Sequence, residues 1–99
     1  MTTTIANAAA TTFPHGTTLT ATTHGYDLHR AGRLVGRVSI RRDFSGRKWV
    51  ADIFAHDGYT WTLDRRTQPA TMPATRHAVE DYAAAYDQYA YVASSDCHR

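Results

Sequence analysis

The chain has 99 residues, a formal net charge of +2 and a single cysteine. A chain of this length supplies one hydrophobic core, so we expect one domain. One cysteine excludes an internal disulfide, and no apolar run approaches the roughly 20 residues that cross a bilayer, which favours a cytoplasmic protein without a membrane span.

The first 24 residues are rich in Thr and Ala and contain no Lys, Arg, Asp or Glu. They show neither strand alternation nor a helical apolar stripe, and they lack the basic start and apolar centre of an export signal. We therefore predict that residues 1–24 form a mobile arm outside the folded domain.

Strand patterns begin after this arm. Residues 25–29 are predicted as a short strand and residues 33–41 as a longer one, with a turn between them. Asp43 to Gly46 supply Asp, Ser and Gly where the chain reverses into a strand at residues 47–55. Asp57 and Gly58 form a second hairpin signal, so residues 59–63 are the next strand.

Alternation assigns a core face to the central strand. The candidate core side chains of this strand are Trp49, Ala51, Ile53 and Ala55. We assign Trp49 to the core because it alternates with small and aliphatic residues.

A helix of about four turns is predicted near residues 74–91, where Pro73 suits its first turn. Its buried stripe is predicted to contain Val79, Tyr82, Ala83, Tyr86 and Ala90. Its exposed side is predicted to contain Glu80, Asp81, Ala84, Asp87 and Gln88.

These elements predict an α+β fold, a three-stranded antiparallel meander packed on one C-terminal α-helix. The predicted domain spans residues 25–92, with the short strand at 25–29 as an addition. Residues 93–99 are predicted to form a polar tail. The helix covers one face of such a sheet, so the other face is exposed.

Positive charge is concentrated in the middle of the chain. Residues 30–66 contain nine Arg and Lys residues against four Asp residues, whereas the segments before and after are acidic. A basic face with an acidic back is the electrostatic footprint of a nucleic-acid binder. The alternative is a solvated strand surface whose arginines guard the sheet edges. Charge alone favours neither interpretation.

No motif in the chain points to catalysis. The sequence has no glycine-rich phosphate loop, no paired cysteines, no His-Glu-x-x-His and no serine in a nucleophile elbow. The six histidines lack ligand spacing, and Cys97 with His98 supplies two ligands where zinc needs four. We therefore expect neither enzyme activity nor a metal or other cofactor.

Two segments resemble a known DNA-binding family. The string IRRDFSGRKWVADIF starts at Ile40, Trp61 follows it, and AVEDYAAAYD starts at Ala78. These segments resemble the DNA-binding domain of plant ethylene-response factors, the Apetala-type domain, whose relatives occur in phage integrases and homing endonucleases. In that family an Arg-rich strand turns through Gly into a G-K-W-x-A-E-I strand, a third strand carries a Trp, and the helix reads T-A-E-E-A-A-x-A-Y-D. The resemblance covers about half of the chain.

The resemblance implies a sheet that lies in the major groove of DNA, which is wide enough for a β-ribbon. Arg41 matches a base-contacting Arg of the family, and Arg37 is a looser candidate. Lys48 matches a basic residue that reaches phosphate. Asp52 stands where the family has a contacting Glu.

Three aromatic residues extend this comparison. Phe54 and Tyr59 replace two contacting arginines of the family, and they suit stacking on bases or sugars, or contact with a protein. Trp61 stands where the family has a contacting Trp, although its alternation with Leu63 is equally typical of a core residue.

The leading hypothesis is a small DNA-binding protein, an accessory factor of a phage or mobile element, that binds double-stranded DNA with the exposed sheet face. The alternative is a protein-interaction module that presents the same face to an acidic partner, with the aromatic side chains as anchors. The predicted DNA-binding residues are Arg37, Arg41, Arg42, Lys48, Asp52, Phe54, Tyr59 and Trp61.

Overall fold

The computed structural model describes residues 10–97. These residues form the elements β1 (Ala10–Thr12), β2 (Thr17–Ala21), β3 (Gly25–Arg30), β4 (Arg33–Arg42), β5 (Trp49–His56), β6 (Trp61–Arg66) and α1 (Met72–Cys97). The strands form one antiparallel sheet in chain order, so each strand pairs with its neighbours in the sequence. No helix in this part of the chain is long and apolar enough to cross a membrane.

The predicted α+β class, with one C-terminal helix on an antiparallel sheet, is confirmed, but the sheet has six strands instead of three. β1 and β2 lie in the segment predicted as a mobile arm, of which residues 1–9 lie outside the described residues. β2 pairs with β3 along its whole length, from Thr17 opposite Arg30 to Ala21 opposite Tyr26. Threonine is β-branched and favours strands. A Thr-rich segment that looks like a low-complexity sequence can therefore form strands of a sheet.

The strand ends show which turn predictions hold. β3 confirms the strand predicted at residues 25–29, and the turn after it contains Ala31 and Gly32, whose φ angles are 54° and 77°. Positive φ at both residues is the conformation of tight hairpin turns. β6 begins at Trp61, because the Asp57 carboxylate accepts hydrogen bonds from the N–H groups of Tyr59 and Thr60 at 2.8 and 2.9 Å. The prediction that Tyr59 lies in a strand is therefore wrong.

The helix is longer than predicted at its C-terminal end. α1 continues to Cys97, through residues that the sequence assigns to a polar tail, and residues 98–99 lie outside the described part. No Gly or Pro follows Pro73, so nothing in the sequence stops the helix once it has started.

The hydrophobic core lies between α1 and one face of the sheet. Its buried members are Leu19, Leu28, Val38, Ala51, Ile53, Val79 and Ala83. The predicted core residues of β5 and the predicted helix stripe are thus confirmed at their centres, and Trp49 is half-buried at the edge. Gly36 fits closely on this face, because a Cβ there would lie 3.1 Å from the Leu28 side chain, which would have to move by a few tenths of an ångström.

One buried carboxylate joins α1 to the first two hairpins. Asp87 is only 2% exposed, so the prediction that it faces solvent is wrong. Its Oδ2 accepts the N–H of His15 at 2.9 Å, and its Oδ1 accepts the N–H of Thr17 at 3.0 Å. The Arg30 Nη1 lies 3.3 Å from Oδ1 and also donates to the His15 carbonyl at 2.9 Å. The His15 ring stacks on Tyr91 with 3.9 Å between ring centroids.

These contacts also govern the ionisation of Asp87. Burial acts to raise the pKa of this carboxyl, but hydrogen bonds from the Thr17 hydroxyl and from the N–H groups of His15 and Thr17 outweigh burial and hold the pKa below its usual value. The folded chain therefore carries a buried, ionised carboxylate at neutral pH, and its counter-ion is Arg30.

Replacement of Asp87 tests this anchor. We expect D87N to lower the free energy of unfolding by about 2–3 kcal/mol, because it removes the charge that pairs with Arg30 and an acceptor for buried N–H groups. Urea unfolding followed by tryptophan fluorescence measures the change. D81N, an exposed change of the same kind on the same helix, should stay within about 0.5 kcal/mol of the parent.

The pH dependence of the D87N effect shows whether the ionised form of Asp87 stabilises the folded chain. Because the pKa of Asp87 is lower in the folded chain, its stabilisation is fully present above the unfolded pKa of about 3.9 and is lost as the pH falls through the folded pKa. The stability difference between parent and D87N should therefore shrink as the pH falls below about 5. A difference that does not change with pH would show that the charge of Asp87 stabilises nothing.

Candidate functional site

The sheet face opposite α1 carries a continuous set of polar and aromatic side chains. Cross-strand partners Asp27, Arg37, Phe54 and Leu63 lie on this face, as do partners Ser39, Asp52 and Arg66. We call this surface the open face, and it comprises Asp27, Arg37, Ser39, Arg41, Val50, Asp52, Phe54, His56, Trp61, Leu63 and Arg66.

Asp52 is the centre of the open face. Its Oδ2 accepts the Nε–H of Arg41 at 2.8 Å, and its Oδ1 accepts the Nε–H of Arg66 at 2.6 Å. Burial acts to raise the pKa of Asp52, but the hydrogen bonds and charges of the two guanidinium groups outweigh burial and lower it. The same hydrogen bond raises the pKa of Arg41. Asp52 therefore stays ionised at neutral pH and holds two arginines side by side.

The arginines of the open face share one geometry. Arg41 and Arg66 contact Asp52 through Nε, and Arg37 approaches Oδ1 of Asp27 through Nε at 3.4 Å. Among residues 10–97, the only hydrogen bond from a terminal nitrogen of these three side chains is a long one, from the Arg41 Nη1 to the Arg42 carbonyl at 3.4 Å. Asp52 thus fixes the Nε side of the Arg41 and Arg66 guanidinium groups, and their Nη atoms remain able to donate hydrogen bonds to a ligand. The contact of the exposed Arg37 with Asp27 is longer and holds Arg37 less firmly.

Aromatic side chains lie at the other end of the open face. Trp61 is 40% exposed, and the Arg37 guanidinium lies 5.5 Å from the centroid of its ring. The His56 ring packs against Trp61 with 4.7 Å between centroids. Phe54 is half-buried beside them, and Tyr59 is 92% exposed in the turn before β6. The structure therefore brings Arg37, Phe54 and Trp61 together, as predicted, and leaves Tyr59 at the rim.

Two of the predicted basic residues lie elsewhere. Arg42 alternates with Arg41 and so points to the helix side of the sheet, where its guanidinium lies 4.5 Å from the centroid of Trp49. Placing Arg42 on the exposed face is thus wrong. Lys48 lies with Arg47 in the exposed turn between β4 and β5, at the tip of the hairpin instead of on the sheet face.

The nine basic residues of the central segment are spread over the fold. Three lie on the open face, three lie on the helix side, one begins β4, and two lie in the turn between β4 and β5. In that order they are Arg37, Arg41, Arg66, then Arg30, Arg42, Arg65, then Arg33, then Arg47, Lys48. Asp27 and Asp52 offset two of the three positive charges on the open face, so this surface is mixed and only weakly positive.

Sequence reasoning misses Arg66 as a member of this surface. A register shift beside Phe54 leaves Asp64 without a partner strand residue, so Arg65 pairs with Ile53 and Arg66 pairs with Asp52. The bulge therefore turns Arg66 to the open face. The one available signal is that no Gly or Pro interrupts the chain between Leu63 and Pro69.

Comparison with known proteins adds no assignment. No known protein family, no curated protein and no solved structure matches the chain. The resemblance to the Apetala-type domain therefore stays a prediction. Within the described residues, no three His, Cys, Asp or Glu side chains lie close enough together to hold a metal ion.

Removal of the Asp52 charge tests whether this carboxylate positions the two arginines. In D52N we expect the Nε–H protons of Arg41 and Arg66 to exchange with water about tenfold faster, because the amide is a weaker acceptor than the carboxylate. Arginine-selective ¹H–¹⁵N spectra measure these rates. D27N is the matched control, and it should affect Arg37 alone. Unchanged rates in D52N would mean that Asp52 does not hold the arginines.

Proposed function

We propose that this chain binds double-stranded DNA with the open face and the tip of the β4–β5 hairpin. The observation that carries the proposal is the geometry of Arg41 and Arg66, whose Nε atoms are held by the Asp52 carboxylate, with Arg37 beside them facing Asp27 at 3.4 Å. A guanidinium group fixed in this way loses less conformational entropy when its Nη atoms bind a phosphate or the edge of a guanine.

The hairpin supplies a part of the sheet that fits a groove. A six-stranded sheet is too wide for the major groove, but a two-stranded ribbon enters it. The chain before β3 still bonds the Ile40 N–H through the His24 carbonyl, and Ala70 pairs with Trp49 at the start of β5. The part of the hairpin that extends beyond these neighbours is the end of β4 and the turn with Arg47 and Lys48. These two cations are exposed and suit contacts to phosphates on either side of the groove.

The aromatic end of the open face supports contact with the sugars and base edges of DNA. Trp61 presents an exposed ring beside Arg37, and Tyr59 stands next to it in the turn. Flat apolar surfaces next to arginine are suited to stacking and to apolar contacts with nucleic acid. The setting that we propose is that of a cytoplasmic accessory factor of a phage or mobile element, in keeping with the resemblance to the Apetala-type domain.

A charge-conserving variant separates guanidinium recognition from simple attraction between charges. In R41K/R66K the net charge is unchanged, but lysine cannot donate two parallel hydrogen bonds from one rigid plane. We expect affinity for a duplex of about 20 base pairs to fall about tenfold, measured by fluorescence anisotropy at about 50 mM salt. R76K, a matched change on the exposed surface of α1, should bind like the parent.

Three outcomes would overturn the proposal. The first is that the parent fails to bind DNA at about 50 mM salt, and the second is that its affinity does not fall as salt rises. The third is the capture of a stoichiometric protein partner that stays bound after nuclease treatment and that added DNA does not displace. That result would assign the open face to an acidic protein partner instead.

A further inference from the structure

A second surface, on the helix side of the sheet, has a chemistry that DNA binding does not use. A cavity of about 410 Å³ lies between α1 and the end of β6. We call it the tyrosine groove, and it is lined by Asp64, Arg65, Asp81, Tyr82, Tyr86 and Tyr89, over Ala55 and Ala85. A cavity of this volume falls within the range of sites that bind small molecules.

The three tyrosines line one side of the groove because of their spacing. Tyr82, Tyr86 and Tyr89 are four and three residues apart, so they share one side of α1. Ala55 and Ala85 carry only methyl groups, which leaves room between the strand and the helix. Tyr89 is 72% exposed, although burial of an aromatic ring is favourable. An exposed ring at the mouth of an aromatic cavity points to a ligand.

Some polar groups of the groove already have hydrogen-bond or cation partners within the chain. The Tyr82 hydroxyl donates to Oδ2 of Asp64 at 2.6 Å, and burial together with this carboxylate raises the pKa of Tyr82 far above its usual value. The Arg65 guanidinium lies 5.7 Å from the centroid of the Tyr82 ring. The Tyr82 hydroxyl is therefore neutral and held in place by Asp64, and the Tyr82 ring already pairs with the Arg65 cation.

The remaining polar groups of the groove have no such partners. No hydrogen bond among residues 10–97 uses the hydroxyl of Tyr86 or Tyr89. The Asp81 carboxylate faces only the His77 ring, with 3.9 Å between Oδ1 and Nε2. Asp64 and Asp81 against Arg65 give the lining a net negative charge. Aromatic faces and a carboxylate without a strong counter-ion together favour a cation.

We propose that the tyrosine groove binds a small organic cation that carries a quaternary ammonium group. Such a group has no N–H to donate and is weakly hydrated, so it gains most from aromatic faces and loses least on leaving water. A primary ammonium group is more strongly hydrated and so loses more on leaving water, and Asp81, the charged acceptor available to it here, is exposed to solvent. Asp81 supplies the longer-range attraction.

Choline and its neutral isostere, 3,3-dimethylbutan-1-ol, test the proposal on the full chain without DNA. We expect choline to bind with a Kd of about 5 mM or less and the alcohol to bind at least about fivefold more weakly. Backbone ¹H–¹⁵N spectra recorded at matched chloride concentration give both affinities. The choline shifts should centre on Asp64, Ala85 and Tyr89.

Two leucine variants provide the control for fold and location. Y89L keeps an apolar side chain but removes the π face, and it should weaken choline binding about fivefold. Y59L changes a still more exposed tyrosine, in the turn before β6 and outside the groove lining, and should have no effect. Equal affinity for choline and the alcohol, choline shifts outside the groove, or tighter binding of a lysine peptide than of choline would each overturn the proposal. None of these results depends on whether the open face binds DNA.

Discussion

The arrangement of the molecule depends on one buried ion pair, between Asp87 of the helix and Arg30 of β3. The carboxylate also accepts the backbone N–H groups of His15 and Thr17, so the turn between β1 and β2 is fastened to the helix. This anchor lies toward the C-terminal end of α1, and the apolar contacts of Val79 and Ala83 lie before it. Together they hold the helix against one face of the sheet and leave the opposite face uncovered.

Asp52 uses the same chemistry for a different purpose. Both carboxylates are removed from water, and arginine neighbours or N–H donors outweigh the cost of burial and keep their pKa values low. Asp87 accepts hydrogen bonds from the backbone and pairs with a largely buried arginine, so its role is structural. Asp52 holds two arginines whose terminal nitrogens remain on the surface, which makes it a positioning residue for the open face.

The parts of the fold that follow from local sequence are predictable. Gly46 and Gly58 mark two reversals, alternation identifies the core face of β5, and the spacing of Val79 and Ala83 identifies the buried stripe of α1. β1 and β2 are not predictable in this way, because the contact that fixes them lies about 70 residues away, at Asp87. Asp87 lies four residues after Ala83 on the same stripe, but its charge favours an exposed position unless the distant partners that bury it are known.

The residues of the candidate site also divide into those that local sequence predicts and those that it does not. Arg37, Arg41, Asp52, Phe54 and Trp61 share a face because alternation within β4 and β5 is regular. Arg42 does not share this face with Arg41, because neighbouring residues in a strand point to opposite sides. Arg66 depends on a bulge in β6 that no residue pattern announces.

Arginine side-chain spectra of the protein, recorded as duplex DNA is added, test the central claim most directly. If carboxylates hold the arginines while their ends bind DNA, the Nε–H signals of Arg41 and Arg66 should stay protected. The Nη signals of the same residues should shift and sharpen as rotation about the Cζ–N bonds slows. Loss of the protected Nε–H signals, or shifts confined to residues of α1, would contradict it.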